Sequence, residues 1–223
     1  MNAPDDPLDM KADWNRRAVE NARFYIATTH WQSEAEFDAS GARDVALFFE
    51  GLDHVLGPSR VALDIGCGIG RMDRHVAPRV GRLIGVDVAG EMVVRARQRL
   101  ADLRNVEFLE CDGRTLPVDD ASVDLVFSHV TFQHMPFDVF DGYLAEVARV
   151  LREGGHFVFQ VPEALVDAPP QPPRGNTFDV HFHRETEIRE KLERLGFTYE
   201  ACRRFRIETP EMDLDFLRIC ARR

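Results

Sequence analysis

Hydrophobic and polar positions alternate along this chain in two periods. Near the amino end, Trp14, Ala18, Ala22, Tyr25 and Ile26 recur at helical spacing with Arg16, Arg17, Glu20 and Arg23 around them, which predicts an amphipathic helix over 13–27. Val45, Phe48, Phe49, Leu52 and Leu56 predict a second helix over 42–56, set off from the first by the polar stretch 30–41 and ended by Gly57-Pro58. Short aliphatic runs then take over and predict strands over 60–65, 82–86, 106–110, 123–128 and 156–161, with helices over 70–78, 90–103 and 138–152 between them. The link 114–122 is short and carries Pro117, which argues against a full helix there. A helix over 185–195 ends at Gly196, and strands over 197–207 and 213–221 are expected to pair as an antiparallel hairpin. Residues 1–9, with two prolines and three aspartates, are expected to be disordered or extended. The proline-rich excursion 162–179 is too long for an incidental connection and is a candidate wall of an acceptor pocket.

The stretch Arg60-Val-Ala-Leu-Asp-Ile-Gly-Cys-Gly-Ile-Gly-Arg71 joins a buried strand to a glycine turn that opens a helix. Gly66, Gly68 and Gly70 let the backbone turn sharply and approach a ligand without Cβ collisions, and a ligand there meets free helix N–H donors. The dinucleotide fingerprint needs its third glycine at position 71, which is Arg71; here that glycine falls at Gly70. Asp64 adds a carboxylate at the tip of the strand, a charge that repels a pyrophosphate and suits an ammonium or sulfonium group.

Leu63-Asp-Ile-Gly-Cys-Gly-Ile-Gly70 resembles motif I of the class I S-adenosylmethionine-dependent methyltransferases, in the small-molecule branch similar to methyltransferase type 11. The likeness runs over about residues 60–221. It continues in Leu83-Ile-Gly-Val-Asp87, Val106-Glu-Phe-Leu-Glu-Cys-Asp-Gly113, Val123-Asp-Leu-Val-Phe-Ser-His129 and Val150-Leu-Arg-Glu-Gly-Gly-His-Phe-Val-Phe159, in the family's order. The resemblance implies an α/β, Rossmann-like fold: a seven-stranded, mostly parallel sheet with an antiparallel last strand, helices on both faces and an N-terminal helical cap. Residues 1–57 would form the cap or lid and 58–223 the core. It also implies S-adenosylmethionine as cofactor, with S-adenosylhomocysteine as product.

Carried over residue by residue, the resemblance puts backbone groups of Gly66, Cys67, Gly68 and Gly70 against the methionine portion and Asp64 at its positive end. Asp87 would take the ribose diol beside Val88 and Met92, Asp112 and Gly113 the adenine; Ser128 completes the set, and Tyr25 or Trp14 would close over it. An aspartate at the end of a strand also reads as a simple helix cap. Asp64, Asp87 and Asp112 together, with the glycines at matching spacing, favour the cofactor. Ser128-His-Val-Thr-Phe-Gln-His-Met-Pro136 stands where the family holds groups near the transferred methyl. His129 and His134 are its candidate catalytic bases, since an imidazole can take a proton from a hydroxyl at neutral pH. That favours an O-linked acceptor. The tetrapeptide N/D-P-P-Y/F after the fourth strand is absent, which disfavours nucleobase or glutamine amide methylation.

Composition narrows the partners. A net charge of −10 over 223 residues opposes an extended nucleic-acid surface and suits an enzyme of small molecules. Arg95, Arg97 and Arg99, like Arg203, Arg204 and Arg206, are expected to be solvated. Cys67, Cys111, Cys202 and Cys220 show no metal-ligand spacing, and His181 and His183 lack a third ligand nearby, so no metal is expected. With neither a signal peptide nor a membrane-length apolar run, the expected protein is soluble and cytoplasmic, a monomer or homodimer with no membrane partner. Two other functions fit the same pattern: a non-catalytic cofactor-binding or regulatory protein and, more weakly, a nicotinamide oxidoreductase.

Overall fold

The computed structural model describes residues 9–27, 33–164, 177–208 and 213–223. The expectations for 1–8 and for most of the proline-rich excursion lie outside the described residues. Seven strands form one sheet: β1 (Gly57–Ile65), β2 (Val80–Asp87), β3 (Val106–Glu110), β4 (Val123–Ser128), β5 (Leu151–Pro162), β6 (Thr198–Glu208) and β7 (Asp213–Arg222). Their order is β3-β2-β1-β4-β5-β7-β6. The first five run parallel, and β7 lies antiparallel to both β5 and β6. Chain order reverses between β1 and β4, so the crevice beyond their carboxyl ends is where an open α/β sheet takes a ligand.

Helices α1 (Met10–Ala27), α2 (Glu34–Phe48), α3 (Asp73–Val76), α4 (Gly90–Arg99), α5 (Phe137–Val150) and α6 (Glu185–Arg194) cover the sheet. One face buries Leu63, Val126, Phe157 and Leu217 against Phe140, Leu144 and Val147 of α5 and Ile188 and Leu192 of α6. The other buries Ala62, Leu125, Phe127 and Val158 against Val45 and Phe48 of α2 and Val76 of α3. Ala18 and Ala22 of α1 pack with Phe37, Ile69, Ala89 and Met92 instead, which sets α1 over the carboxyl edge of the sheet. Within α1 the backbone leaves the helix at Asn21, whose side chain accepts the Phe24 amide (3.2 Å) and restarts the turn that carries Tyr25 and Ile26.

The second helix starts earlier and stops sooner than its apolar pattern predicts. Ser33 caps it, with the reciprocal Ser33–Glu36 bonds of a capping box, so the polar stretch 34–41 is helical. Leu52 and Val55 remain buried, but in a turn, and Gly57-Pro58 opens β1 rather than ending a helix. The helix predicted over 70–78 is one turn, because Pro78 falls in a following 3-10 turn. The helix predicted over 90–103 ends at Arg99, and β5 begins at Leu151, directly behind α5.

Candidate active site

Beyond Ile65 the chain turns through Gly66, Gly68 and Gly70, all with left-handed φ (80°, 55° and 76°). At Gly66 a Cβ would run into the Thr131 side chain, and at Gly68 it would sit 2.8 Å from Ile26 of α1. The turn is fastened to the end of β2. Gly66 and Cys67 amides donate to the Val86 carbonyl (2.8 and 3.0 Å), and the Gly68 amide donates to Asp87 Oδ2 (2.9 Å). Asp87 Oδ1 accepts the Ala89 amide at the start of α4 (2.9 Å). Burial pushes the Asp87 carboxyl up to about 6, against the pull of these amides.

Asp64 is 4% exposed and Asp73, from α3, is fully buried. Asp73 sits beside Asp64, close enough for the two carboxyls to share a hydrogen bond, and burial pushes the Asp73 carboxyl up. Burial first, then the charges of Asp73 and Asp87, hold Asp64 well above the usual carboxylate range. Two adjacent buried carboxyls resist ionising together even with Arg71 nearby, which favours a proton shared between them. A cationic ligand is the partner that would release it.

Asp64 and Asp87 line one cleft of about 870 Å³, open solvent at its mouth included, with Asp73 buried behind it. Asp64, Gly66 and Gly68 lie on its floor, and Asp87, Val88 and Met92 on one side. Cys111 and Tyr143 close that end, the Tyr143 hydroxyl 3.6 Å from Cys111 Sγ. Met10, Trp14, Tyr25 and Ile26 of α1 form a roof, and Arg71, Met72, His129, Thr131 and His134 line the far wall. Val130, also in that wall, has φ 57°, an outlying conformation for a β-branched residue.

Of the residues proposed from sequence, Asp64, Gly66, Gly68, Asp87, Val88, Met92, Tyr25, His129 and His134 all face this cleft. Five others do not line it. Cys67 packs its side chain with Val93, Ala96 and Phe108 beneath the turn, and a Cβ on Gly70 would meet Leu100 at 2.9 Å, so both positions serve packing. Ser128 donates to the Ile65 carbonyl (2.9 Å), tying β4 to β1. Asp112 is exposed and bends back on its own loop, accepting from the Arg114 and Thr115 amides (2.8 and 2.7 Å) and the Thr115 hydroxyl (2.7 Å). Those bonds hold its carboxyl down at about 2. Gly113, with φ 81°, completes that loop.

His134 is buried and His129 half-buried, and both are weak bases. His134 Nδ1 lies 3.3 Å from the Asp179 carbonyl, which can only accept, so Nδ1 carries the proton and Nε2 accepts from the Gln133 amide (3.2 Å). Its ring stacks on Phe178 (5.1 Å, 12°) and meets Trp14 at 5.5 Å. Burial pushes it down to about 4. His129, edge-on to Phe48, is likewise pushed down to about 4 by burial and by Arg71. At neutral pH both are uncharged hydrogen-bonding groups, poorly matched to abstracting a proton from an alcohol. His181 and His183 lie outside the cleft lining, edge-on to Phe137 (5.4 and 5.2 Å).

Arg71, Asp73, Thr131 and Tyr143 were not singled out for the site from sequence. Arg71 is 4% exposed, paired with Asp44 (2.5 Å) and Ser40 (3.3 Å), while its Nε is buried without a partner. Its position as the residue that breaks the dinucleotide fingerprint was the available signal.

The profile of the family described as "Methyltransferase domain" matches residues 63–159. A malonyl-[acyl-carrier protein] O-methyltransferase of Geobacter sulfurreducens is 31% identical over 197 residues, 82% of this chain and 71% of that protein. Several other curated relatives are matched over only 31–53% of their own length. Among solved structures, the [4+2]-cyclase SpnF superposes with TM-score 0.75 at 18% identity, covering 97% of both chains. The Burkholderia thailandensis 1,6-didemethyltoxoflavin-N1-methyltransferase, with bound S-adenosylhomocysteine, gives 0.67 at 23%, covering 100% of this chain and 93% of that one. With the glycine turn, the acid-tipped strands and the sheet order in place, the chain belongs to the class I S-adenosylmethionine-dependent methyltransferases.

Proposed function

We propose that this protein transfers the methyl group of S-adenosylmethionine to a carboxylate oxygen of a small and largely apolar molecule. The carrying observation is the far wall of the cleft, where one buried guanidinium, Arg71, accompanies two histidines held neutral at pH 7. The acidic floor fits the cofactor: Asp64 and Asp87 line the cleft, burial holds both carboxyls above their usual range, and a bound cation would favour their charged form. When bound, S-adenosylmethionine supplies a methyl group on positively charged sulfur, already activated toward attack.

The protein's own part is placement. Asp87 would hold the ribose diol while keeping the turn in shape, Cys111, Val88 and Tyr143 would enclose the adenine, and Asp64 would face the positive end. Holding donor and acceptor in line accounts for about 7–11 kcal/mol of barrier lowering, against a factor of about 10²–10⁴ from a general base. An acceptor already ionised at pH 7 needs no base, and histidines near 4 are compatible with that class. The Arg71 guanidinium, buried and paired with Asp44 and Ser40, would offer the carboxylate a positive field rather than a direct bond, and Trp14, Tyr25 and Phe178 would cover the acceptor. Several curated relatives are described as O-methyltransferases, of malonyl-[acyl-carrier protein] and of fatty acids, which supports the same reading.

The test is an assay of S-adenosylhomocysteine formation by mass spectrometry against carboxylic acids, phenols, aliphatic alcohols and amines. Methyl esters are expected; aryl ethers alone, or turnover confined to amines, would overturn the acceptor class. A second reading, cofactor binding without methyl transfer, is favoured by the fold shared with the cyclase SpnF, and it predicts cofactor binding by calorimetry with no S-adenosylhomocysteine formed in the assay.

A further inference from the structure

Away from the cleft, one cluster remains unused. His54 lies in the turn before β1, His156 on β5 and Glu200 on β6, and one ligand atom from each falls within 4.8 Å of the others. His156 pairs with Leu125, three residues short of the Phe159–Ser128 pair at the carboxyl edge, so the cluster sits about 10 Å down the strands from the cleft. The two imidazoles meet edge to face at 5.3 Å.

As a protein-only arrangement the cluster is poorly satisfied. His156 is 8% exposed and its Nδ1 has no hydrogen-bond partner. Its Nε2 stands 3.5 Å from Glu200 Oε2, at the limit of a hydrogen bond. That separation is instead close to the edge, roughly 3.4 Å, of a tetrahedron whose arms are about 2.0–2.2 Å, the usual zinc–nitrogen and zinc–oxygen lengths. Arg222 Nε holds Glu200 Oε1 at 2.9 Å, which leaves Oε2 turned toward the histidines, the kind of outer support that fixes a ligating carboxylate.

We propose that His54, His156 and Glu200 form a zinc-class divalent metal site that staples the turn ahead of β1 to the β5–β7–β6 edge. Two imidazole nitrogens and one carboxylate oxygen are a borderline donor set that suits zinc and excludes the all-oxygen preference of calcium or magnesium. Three protein ligands leave the fourth position to water. Cys220 Sγ approaches Glu200 Oε2 to 3.9 Å but lies outside the converging set, so it is a neighbour and not a ligand. Arg222, and Arg60 beside His156, oppose a cation, so binding is expected to be weaker than at a closed structural zinc site.

The experiment is calorimetric titration of the chelator-treated full chain with zinc chloride, paired with cobalt(II) absorption spectroscopy. One equivalent of zinc is expected to bind and to raise the melting temperature, and cobalt(II) is expected to show the strong visible bands of a four-coordinate ion. His54 and Glu200 are at the surface, so His54→Ala and Glu200→Gln should fold, keep S-adenosylmethionine affinity, and bind zinc at least tenfold more weakly. Zinc bound equally by the parent and both variants, an adventitious ion only, would overturn the proposal, as would no zinc-dependent rise in melting temperature.

Discussion

The amide of Gly68 donates to the carboxylate of Asp87 across 2.9 Å, so the acid at the tip of β2 holds in place the turn that follows β1. Its other oxygen holds the Ala89 amide, and one side chain therefore shapes both halves of the proposed cofactor site. Asp87→Ala removes these bonds together with the proposed ribose contact. Hydrogen bonds to a charged group contribute about 1.5–3 kcal/mol each, so cofactor affinity should fall at least about tenfold to a hundredfold. Near-normal affinity by calorimetry, in a variant with an unchanged circular dichroism spectrum, would count against the role.

The buried acids make stability depend on pH in a way that one substitution exposes. A carboxyl raised from 3.8 to about 6, as Asp87 is, or raised within a pair, as Asp64 and Asp73 are, binds protons in the folded chain that the unfolded chain has lost. Its contribution therefore turns unfavourable as pH rises through that window. His129, His134 and His183, all depressed, act in the opposite sense, and the parent protein's curve mixes the two. Asp73→Asn removes part of the acid contribution alone. Its melting temperature relative to the parent, without ligand, should climb as pH goes from about 4 to 7; a constant difference would show that the pair does not share a proton.

His134 lies in the cleft wall with its protonated nitrogen engaged and its basicity lowered to about 4. His134→Ala should reduce kcat by less than the roughly hundredfold that marks loss of a general base, and kcat should stay flat between pH 6 and 8. An acidic limb, with kcat falling below an apparent pKa near 6.5 in the parent and lost in the variant, would restore it as a base.

Gly66 needs its missing Cβ twice, for a left-handed φ of 80° and for the approach of Thr131. Gly66→Ala should destabilise the protein by about 2 kcal/mol or more, from backbone strain and overpacking. Thr131→Gly in the same chain should recover part of that loss, with a coupling of about 0.5–3 kcal/mol in a double-mutant cycle. Strict additivity in chemical denaturation would mean the two residues do not touch.

Strands were legible where aliphatic runs were dense, and β3 and β4 fall at their predicted bounds. The start of α2 was hidden because 34–41 is polar, although Ser33 and Glu36 carried the capping signature. Asp64 and Asp87 reach the cleft because parallel neighbouring strands bring their tips side by side, with Asp64 paired to Gly85 in register. Asp112 follows a strand in the same way, yet its short side chain closes on the Arg114 and Thr115 amides, a competition that spacing cannot resolve. Cys67 and Ser128 are likewise placed by local packing. Asp73 and Arg71 enter through tertiary folding of a one-turn helix, for which the sequence offers no periodicity.

The most direct test of the cofactor assignment is a crystal structure of the protein with S-adenosylhomocysteine. The nucleoside is predicted between Asp87 and Tyr143, with the thioether sulfur over the turn from Gly66 to Gly68. Density for the ligand elsewhere on the molecule, or an unaltered cleft at saturating ligand, would contradict it.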